Sequence, residues 1–394
     1  MRLPKKCVKI KKNIFQRVKK MEELKEMFMR IEDERHKAYI DHELSEILIL
    51  VMGAVICGMT EIRDMMTYLE SSAEFYKKKF KIELIPSRST ISRVLDMVDA
   101  DEVGKIIVEI MCKYTSVIGE ILAVDGKAIC GTGEKGKANS FLQILSVYAT
   151  ESGVTLSQKA IEYEDKTNEI PVFREMLNEL NIEGKTITAD AMHCQKETCS
   201  KIKEKKGDYV FGVKDNQKEL HEEIQLFLED PINIKSMDTF ETIEKNGGRI
   251  EQRICRVSND ISWITGVADW EGLTSIFSVT RITTVQGKVT EETGYYISSR
   301  KASAQQLLHI SRSHWMIESM HWALDVIWHE DNNNIKSDNS QKVLNAFRKL
   351  AHLAHKRHVA SQPEKKRRSV KQNVLHALLN QNTCFEVMTL LSSF

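Results

Sequence analysis

Two short apolar segments of this sequence each end in an aspartate. They are residues 121–125, with the sequence ILAVD, and residues 186–190, with the sequence TITAD. Segments this short and this rich in β-branched and aliphatic residues predict buried strands. A carboxylate that ends a buried strand points into the crevice where open α/β sheets place their chemistry. A third acid, Glu318, follows within a segment of helical pattern.

The three acids together suggest metal-dependent cleavage of phosphodiester bonds. Asp125 and Asp190 on strands and Glu318 on a helix can hold two divalent ions, which activate water and stabilise a charged transition state. Mg²⁺ prefers hard oxygen ligands, which explains carboxylates here rather than His and Cys. Asp125, on the predicted central strand, is the candidate to bridge both ions. On spacing alone the alternative stays open that the aspartates are turn formers or helix N-caps.

The composition is that of an ordinary globular protein, with 394 residues, 42% hydrophobic residues and a net charge of +1. This length allows two or three domains. The basic residues are concentrated at the ends: residues 1–20 hold nine Lys and Arg and no acid, and residues 356–371 hold seven against one acid. Two basic arms predict neutralisation of nucleic-acid phosphates, with solvated termini as the alternative.

Membrane insertion and structural zinc are not expected. The longest apolar run, residues 47–59, is shorter than the roughly 20 residues that span a bilayer, and no signal peptide is evident. The eight cysteines are scattered without a CxxC pair, which predicts reduced thiols. We therefore expect a soluble, cytoplasmic protein.

The first 117 residues are predicted to form a basic arm at residues 1–20 and a helical DNA-binding domain at residues 21–117. Within that domain, Ser87 or Ser89 can N-cap a helix whose apolar face includes Ile91 and Val94. The outer face of this helix carries Arg88, Ser92 and Arg93, a pattern that is similar to a helix-turn-helix recognition element. An ordinary surface helix is the alternative.

A catalytic domain at residues 118–357 is predicted to alternate strands and helices. The predicted strands lie near residues 121–125, 143–150, 154–161, 185–190 and 208–213, and the helices near residues 169–180 and 195–205. A β-rich insertion occupies about residues 236–300, with a hairpin turn at Gln286-Gly287. Residues 303–357 return to helix, and residues 358–394 form a basic C-terminal tail with one short helix at Val370–Leu379.

Several motifs in the same order resemble bacterial insertion-sequence transposases of the DDE type, specifically the H-repeat-associated branch. The motifs are AVDGK at 123–127, KTNEIP at 166–171, TADAMHCQ at 188–195, DYVFGVKDNQ at 208–217 and HWMIESMHWALDV at 314–326, followed by Glu330-Asp331. The helical segment at residues 31–98 is similar to the domain that precedes the catalytic core in these proteins. The resemblance spans about residues 25–355.

The resemblance implies an α/β fold: an RNase H-like mixed sheet with helices, interrupted by a β-rich insertion and preceded by an all-helical N-terminal domain. It implies that Asp125, Asp190 and Glu318 are the catalytic residues and the ligands of two Mg²⁺ ions, for which Mn²⁺ can substitute. Separations of 65 and 128 residues between successive acids leave room for the insertion in the second gap. Related transposases carry Tyr, Arg and Lys around the glutamate, where this chain has Ser311, His314 and Asp325.

Further residues are candidates for DNA contact because lysines, amides and imidazoles suit phosphates and sugars. One polar stripe of the predicted helix carries His314, Glu318, His321 and Asp325. The residues of this stripe other than Glu318 could contact DNA, bind the metal ligands or form a solvated face. Trp315 and Trp322, on the adjacent stripe, are expected in the core, with base stacking as the alternative. The candidates for DNA contact are Arg88, Arg93, Lys127, Asn168, Gln195, Lys214, Asn216, Gln217, His314 and His321.

The expected function is that of a DNA transposase. It would cleave double-stranded DNA at the terminal inverted repeats of its element and transfer the 3′-OH ends into target DNA. We expect a homodimer in the DNA complex and no small-molecule substrate or membrane partner. The resemblance implies a bacterial, cytoplasmic protein that is associated with the nucleoid when it binds DNA. The alternatives are a catalytically silent, transposase-derived DNA-binding protein and a nuclease without strand transfer.

Overall fold

Nine β-strands join into one mixed sheet in the computed structural model of the protein. The structure describes Lys19 and residues 21–113, 119–133, 141–161 and 169–391. The order of the strands across the sheet is β3-β2-β1-β4-β5-β9-β8-β7-β6. The strands are β1 Ile121–Ile129, β2 Leu142–Ala149, β3 Val154–Ile161, β4 Thr186–Ala189, β5 Asp208–Val213, β6 Asp238–Asn246, β7 Arg249–Ser258, β8 Ser275–Val285 and β9 Lys288–Ser298.

Helices precede, separate and follow these strands. Before the sheet come α1 at residues 21–28, α2 Leu44–Ile56, α3 Ile62–Ser71, α4 Ala73–Phe80, α5 Arg88–Met97 and α6 Ala100–Lys113. Between the strands lie α7 Glu169–Glu179, α8 Lys196–Glu204, α9 Lys218–Glu229 and α10 Pro231–Ile234. After the last strand come α11 Ala304–Ser313, α12 Trp315–Trp328, α13 Asp338–Ser361, α14 Val370–Leu379 and α15 Gln381–Leu390.

The first five strands have the order and directions of an RNase H-like sheet. β1 pairs antiparallel with β2 and parallel with β4, β2 pairs antiparallel with β3, and β4 pairs parallel with β5. Every residue of β4 is buried, as expected for a central parallel strand that is covered on both faces. The predicted α/β, RNase H-like fold is confirmed. β1 extends past its predicted end at Asp125 to Ile129, because β2 continues to pair with it.

The β-rich segment predicted at residues 236–300 forms four antiparallel strands, β6 to β9. Gln286 and Gly287 connect β8 to β9 with φ angles of 50° and 82°, as in the two-residue turns that suit twisted hairpins. β9 also pairs with β5, with Val210 opposite Ser298. The segment is thus an extension of the same sheet, and its outermost strand, β6, is mostly exposed.

The N-terminal helices pack against the long helix α13. Residues 44–56 form a helix that is buried almost throughout, because nearly every position in it is apolar. α13 contacts this helix, α5 and α6, and its own middle segment is buried on most sides. Within the described residues, no helix is both long and apolar enough to cross a membrane.

The C-terminal region differs from the prediction of a basic tail with one helix. α14 lies where it was predicted, but α13 continues to Ser361 and α15 is additional. Helix α15 buries Cys384, Phe385 and Met388 and contacts α2 and α13. Its buried apolar residues Cys384, Val387, Met388 and Leu391 have helical spacing, but a helix this short is not stable alone, so long-range packing stabilises it. The domain boundaries proposed from the sequence stay predictions.

Buried charges join α12, α13 and β1. Glu330 and Arg348 are both fully buried, with 2.9 Å between Oε1 and Nη1. The amide of Asn345 also donates to Glu330, at 3.0 Å. Lys127 of β1 lies 2.7 Å from Asp325 of α12. Because a buried charge without a partner is costly, these pairs fix how the end of α12 sits against β1.

The Glu330–Arg348 pair gives a stability prediction. The substitution Glu330→Gln should lower the free energy of unfolding by about 3–5 kcal/mol, because it leaves the Arg348 guanidinium buried and uncompensated. The measurement is the midpoint of urea unfolding, followed by circular dichroism. The matched control is Glu183→Gln, which breaks an exposed pair with Lys206 and should cost no more than about 1 kcal/mol. Equal midpoints for the two variants would contradict the prediction.

Candidate active site

The register of β1 and β4 places Asp125 and Asp190 side by side. The parallel pairing of the two strands ends with Val124 opposite Ala189. The next residue on each strand is an aspartate, and residues at equivalent positions of paired strands project from the same face. Asp125 is partly buried and Asp190 is exposed. Two carboxylates therefore meet where β4 ends and the sheet opens.

Glu318 and two histidines lie on α12, which crosses this edge of the sheet. His314 Nε2 lies 3.4 Å from Asp190 Oδ1, and His321 Nδ1 lies 3.2 Å from Asp125 Oδ2. The two histidines are seven residues apart, so they share a helix face, and Glu318 lies between them on that face. The backbone N–H of Gly126 donates to Asp125 Oδ1 at 2.9 Å. One helix thus contacts both aspartates and brings the third acid between them.

The charges of the site act on one another. Hydrogen bonding with His314 lowers the pKa of Asp190, and the positive charge of Lys214 lowers it further. Burial raises the pKa of Glu318, and the negative charges of Asp125 and Asp190 add to this rise. Glu318 therefore lies in an excess of negative charge, which a bound cation would relieve.

The donor set fits a hard divalent cation. All three acids offer carboxylate oxygens, which Mg²⁺ prefers. In the described part of the chain, no three His, Cys, Asp or Glu side chains are close enough together to hold one ion. In the absence of an ion, a histidine lies next to each of Asp125 and Asp190. Ion binding would thus draw the three carboxylates together.

The amide candidates for DNA contact turn their N–H groups towards the loop after Asp190. Asn216 Nδ2 donates to the carbonyl of Ala191 at 2.7 Å, and Gln217 Nε2 donates to the carbonyl of Cys194 at 3.0 Å. Gln195 bonds within the same loop, to the carbonyl of residue 192. These contacts hold the backbone that carries Asp190. Sequence reasoning had assigned these amides to phosphates and sugars.

Two other candidates lie against carboxylates of the chain. Lys127 is buried, and its ammonium contacts Asp325 and Asp331, with Glu330 at 3.9 Å. His321 is buried against Asp125, which agrees with the alternative that it is a partner of a metal ligand. Contacts of Lys127 and His321 with DNA stay predictions.

The prediction that Trp315 and Trp322 belong to the core is wrong. Their side chains are 41% and 62% exposed. Two guanidinium groups of the four-stranded extension β6–β9 lie over the ring of Trp315, with Arg253 5.7 Å and Arg281 5.2 Å from the ring centre. The buried face of α12 is instead formed by residues such as Ile317, two positions after Trp315 on the helix.

Glu169 and His193 are neighbours of the site that sequence reasoning missed. Glu169 Oε1 lies 3.0 Å from His193 Nε2. The Glu169 carboxylate also lies against Gly126, where a Cβ would meet it at 3.1 Å. A side chain at Gly126 would therefore press on a fourth carboxylate beside Asp125. The KTNEIP motif contains Glu169, but the sequence alone predicted no role for this residue.

The remaining candidates lie apart from this group or outside the described residues. Arg88 and Arg93 are exposed on α5, and Ser87 caps this helix by accepting the backbone N–H of Thr90 at 3.2 Å. Lys214 is exposed near Asp190. Asn168, like most of the N-terminal arm, lies outside the described residues.

The strand order and the three gathered acids define an RNase H-like protein with an acidic site at one sheet edge. The family described as "Transposase DDE domain" matches residues 118–354, and a second, described as "DDE_Tnp_1-associated", matches residues 25–111. Because the first match alone covers more than half of the chain, this protein belongs to the transposase DDE domain family.

Named relatives agree with this assignment. "Putative transposase YncI" of Escherichia coli O157:H7 is 36% identical over 331 residues, which is 82% of this chain and 84% of that protein. "H repeat-associated putative transposase YhhI" of Escherichia coli strain K12 is 32% identical over 343 residues, 84% of this chain and 89% of that protein. The predicted membership of the bacterial DDE transposases is confirmed.

The loop after Asp190 gives a second prediction. Asn216→Ala should speed hydrogen exchange of the backbone amides at residues 191–195, because it removes the bond to the carbonyl of Ala191. Mass spectrometry of exchanged peptides measures this. Lys214→Ala is the matched control on the same loop, and it should leave that exchange unchanged because its exposed ammonium donates to no backbone atom of residues 191–195 in the described structure. Similar exchange in both variants and the wild type would refute the bracing role.

Proposed function

We propose that this protein is a DNA transposase that cleaves at the terminal inverted repeats of its element and joins the 3′-OH ends to target DNA. The observation that carries the proposal is the meeting of Asp125, Asp190 and Glu318 at one sheet edge, in a chain of the transposase DDE domain family. The relatives named as transposases support it. Because an element has two ends, we infer a homodimer in the DNA complex.

The three carboxylates would hold two Mg²⁺ ions, which Mn²⁺ can replace and which supply an activated water and a counter-charge for the transition state. Asp125, on β1, would be one of the carboxylates that hold them. His321 and His314 would hold Asp125 and Asp190 in place by their ring nitrogens. Glu318, whose pKa is raised, would gain most from the added positive charge.

The DNA would reach this edge along basic surfaces of the chain. Lys214 lies exposed beside Asp190, and the segment Lys365–Arg368 is exposed between α13 and α14. Arg88 and Arg93 lie exposed on α5, in the region of the associated family. We propose that α5 reads the terminal repeats and that the lysine-rich surfaces bind phosphates.

Two narrower functions remain as competing outcomes. A silent DNA-binding protein would bind the repeats without cutting them, and a nuclease would cut without joining. Incubating the protein in Mg²⁺ with a plasmid that carries the element's repeats, and mapping the products, separates them. Joined products support the proposal, cut but unjoined ends support the nuclease, and uncut DNA supports the silent protein.

The three acids give the third prediction. Asp125→Asn, Asp190→Asn and Glu318→Gln should each abolish strand cleavage, because each removes a negative ligand and keeps its shape. DNA binding and the circular dichroism spectrum should stay close to those of the wild type. The matched control is Glu222→Gln, an exposed carboxylate of α9 in a pair with Lys218. Cleavage at the wild-type rate by any of the three variants would remove that residue from the site.

The α5 arginines give the fourth prediction. Arg88→Ala or Arg93→Ala should narrow the difference in affinity between terminal-repeat DNA and random DNA, because a base-reading arginine discriminates by about 1–3 kcal/mol. Both affinities are measured at one fixed salt concentration. The control is Arg63→Ala, which changes an arginine of the neighbouring helix α3. If both affinities fall equally, α5 binds phosphates and the sequence is read elsewhere.

A further inference from the structure

The four-stranded extension β6–β9 has one covered face and one open face. Side chains alternate between the two faces of a sheet, and directly paired residues share a face. Helix α11 packs against the face that carries Cys255 and Phe277. Helix α9 reaches the base of the opposite face, where Tyr295 donates a hydrogen bond to Glu229. The rest of that opposite face is what we call the open face.

Three successive rows of paired residues make up the open face, and each row crosses all four strands. The register is continuous in each of the three strand pairs, so the rows form a regular grid. The row nearest the base holds Glu241, Ile254, Thr280 and Thr293, the middle row holds Ile243, Gln252, Ile282 and Glu291, and the row nearest the hairpin turns holds Lys245, Ile250, Thr284 and Val289.

Large apolar side chains are prominent on the open face although solvent reaches it. Ile243 is 67% exposed, Val289 is 61% exposed and Ile250 is 42% exposed. Ile254 and Ile282 are half-buried. A sheet that packs on the core with one face usually carries polar residues on its other face. A contiguous group of large apolar side chains at the surface is instead typical of a face that binds a partner.

The charges of the open face do not suit DNA. It carries two acids, Glu241 and Glu291, and one cation, Lys245, whereas phosphates require an excess of lysines and arginines. Glu241 accepts a hydrogen bond from the amide of Gln252 at 2.7 Å, and both Glu241 and Lys245 are exposed. The partner should therefore offer an apolar centre, an acid for Lys245 and a cation for Glu241.

A second copy of the open face has this pattern. Two sheets that pack face to face keep their strands within about 30° of each other, and a two-fold axis pairs the same patch of both copies. An axis through the middle row and perpendicular to the strands reverses the order of the rows. Glu241 of each copy then lies over Lys245 of the other copy, and Ile254 lies over Ile250. In the middle row, Ile243 meets its own counterpart.

The alternative two-fold axis, parallel to the strands, gives a poorer match. It would place Glu291 over Ile243 and Lys245 over Val289, so charges would be buried against apolar groups without a partner. The perpendicular axis brings one pair of like charges together, Glu291 and its own counterpart. That pair lies on β9 at the rim of the extension, where water and salt screen it. The pattern of the open face thus favours one arrangement.

We propose that two copies of this chain associate through the open face, with the two-fold axis perpendicular to its strands. Three rows across four strands cover about 20 Å by 19 Å, or about 400 Å² on each copy. This area is at the lower end for specific interfaces, so the free chains should associate weakly. The inference deepens the proposed function, on which the role of this dimer at two DNA ends rests. Binding to both ends would raise the effective concentration of the copies.

Sedimentation velocity of the full chain without DNA, at rising concentrations, tests the inference. The mass of the wild type should rise from 45.3 kDa towards twice that value. Ile243→Asp should weaken association by about tenfold or more, because it places two uncompensated charges in the apolar centre. The matched control is Leu84→Asp, which changes an equally exposed apolar residue between α4 and α5 and should leave association unchanged.

A charge exchange tests the arrangement itself. Glu241→Lys and Lys245→Glu should each weaken association by about threefold or more, because each brings like charges together across the axis. The double variant should recover association close to that of the wild type. Glu241 and Lys245 are about 13 Å apart along one strand, too far to pair within a chain. Recovery would therefore report a contact between copies.

Three results overturn the inference: a wild type that stays monomeric up to about 0.2 mM, an Ile243→Asp variant that associates as well as the wild type, or a double variant that associates no better than the single variants. Masses beyond the dimer would show an open, head-to-tail contact and overturn it as well. A monomeric chain that cleaves and joins DNA overturns this inference and leaves the proposed function intact. A dimer that responds to the variants as expected but leaves DNA uncut supports the inference and removes the proposed function.

Discussion

The parallel pairing of β1 with β4 is the constraint on which the site depends. Four residue pairs, ending at Val124 and Ala189, fix the register. A shift of one residue would turn Asp125 or Asp190 to the opposite face of the sheet. Every residue of β4 is buried, so a register shift would disturb the packing on both faces of the strand. Everything else in the site is arranged around these two neighbouring carboxylates.

Helix α12 and its N-cap residue supply the side chains of the site that do not come from the sheet. They place His314 near Asp190, His321 near Asp125 and Glu318 between them. The far end of α12 is held by buried charges, in which Lys127 of β1 contacts Asp325 and the Glu330–Arg348 pair binds the following loop to α13. Because these charges are costly to separate, the position of the helix against β1 is stiff. The negative charge gathered at Glu318 therefore persists until a cation balances it.

The outer surface of α12 shows how one helix can serve two purposes. Ile317 and its neighbours bury one side, while Trp315 and Trp322 stay open to solvent. Arginines of strands β7 and β8 cover part of Trp315, so these strands lie close to the site. Trp322 lies towards Lys371 at the start of α14. The two tryptophans, equal in a sequence pattern, thus differ in what surrounds them.

The sequence by itself determined the strands, the β-rich segment and the three acids, because short apolar runs, a Gln-Gly turn and ordered motifs are local signals. The register of Asp125 with Asp190 could not be read from it, since pairing between distant strands leaves no local trace. For the same reason the burial of Lys127 and the exposure of Trp322 escaped prediction. Residue type predicts average burial, but the partner that covers or exposes a side chain comes from another part of the chain. Tertiary structure alone decided which candidates meet at the site and which brace it.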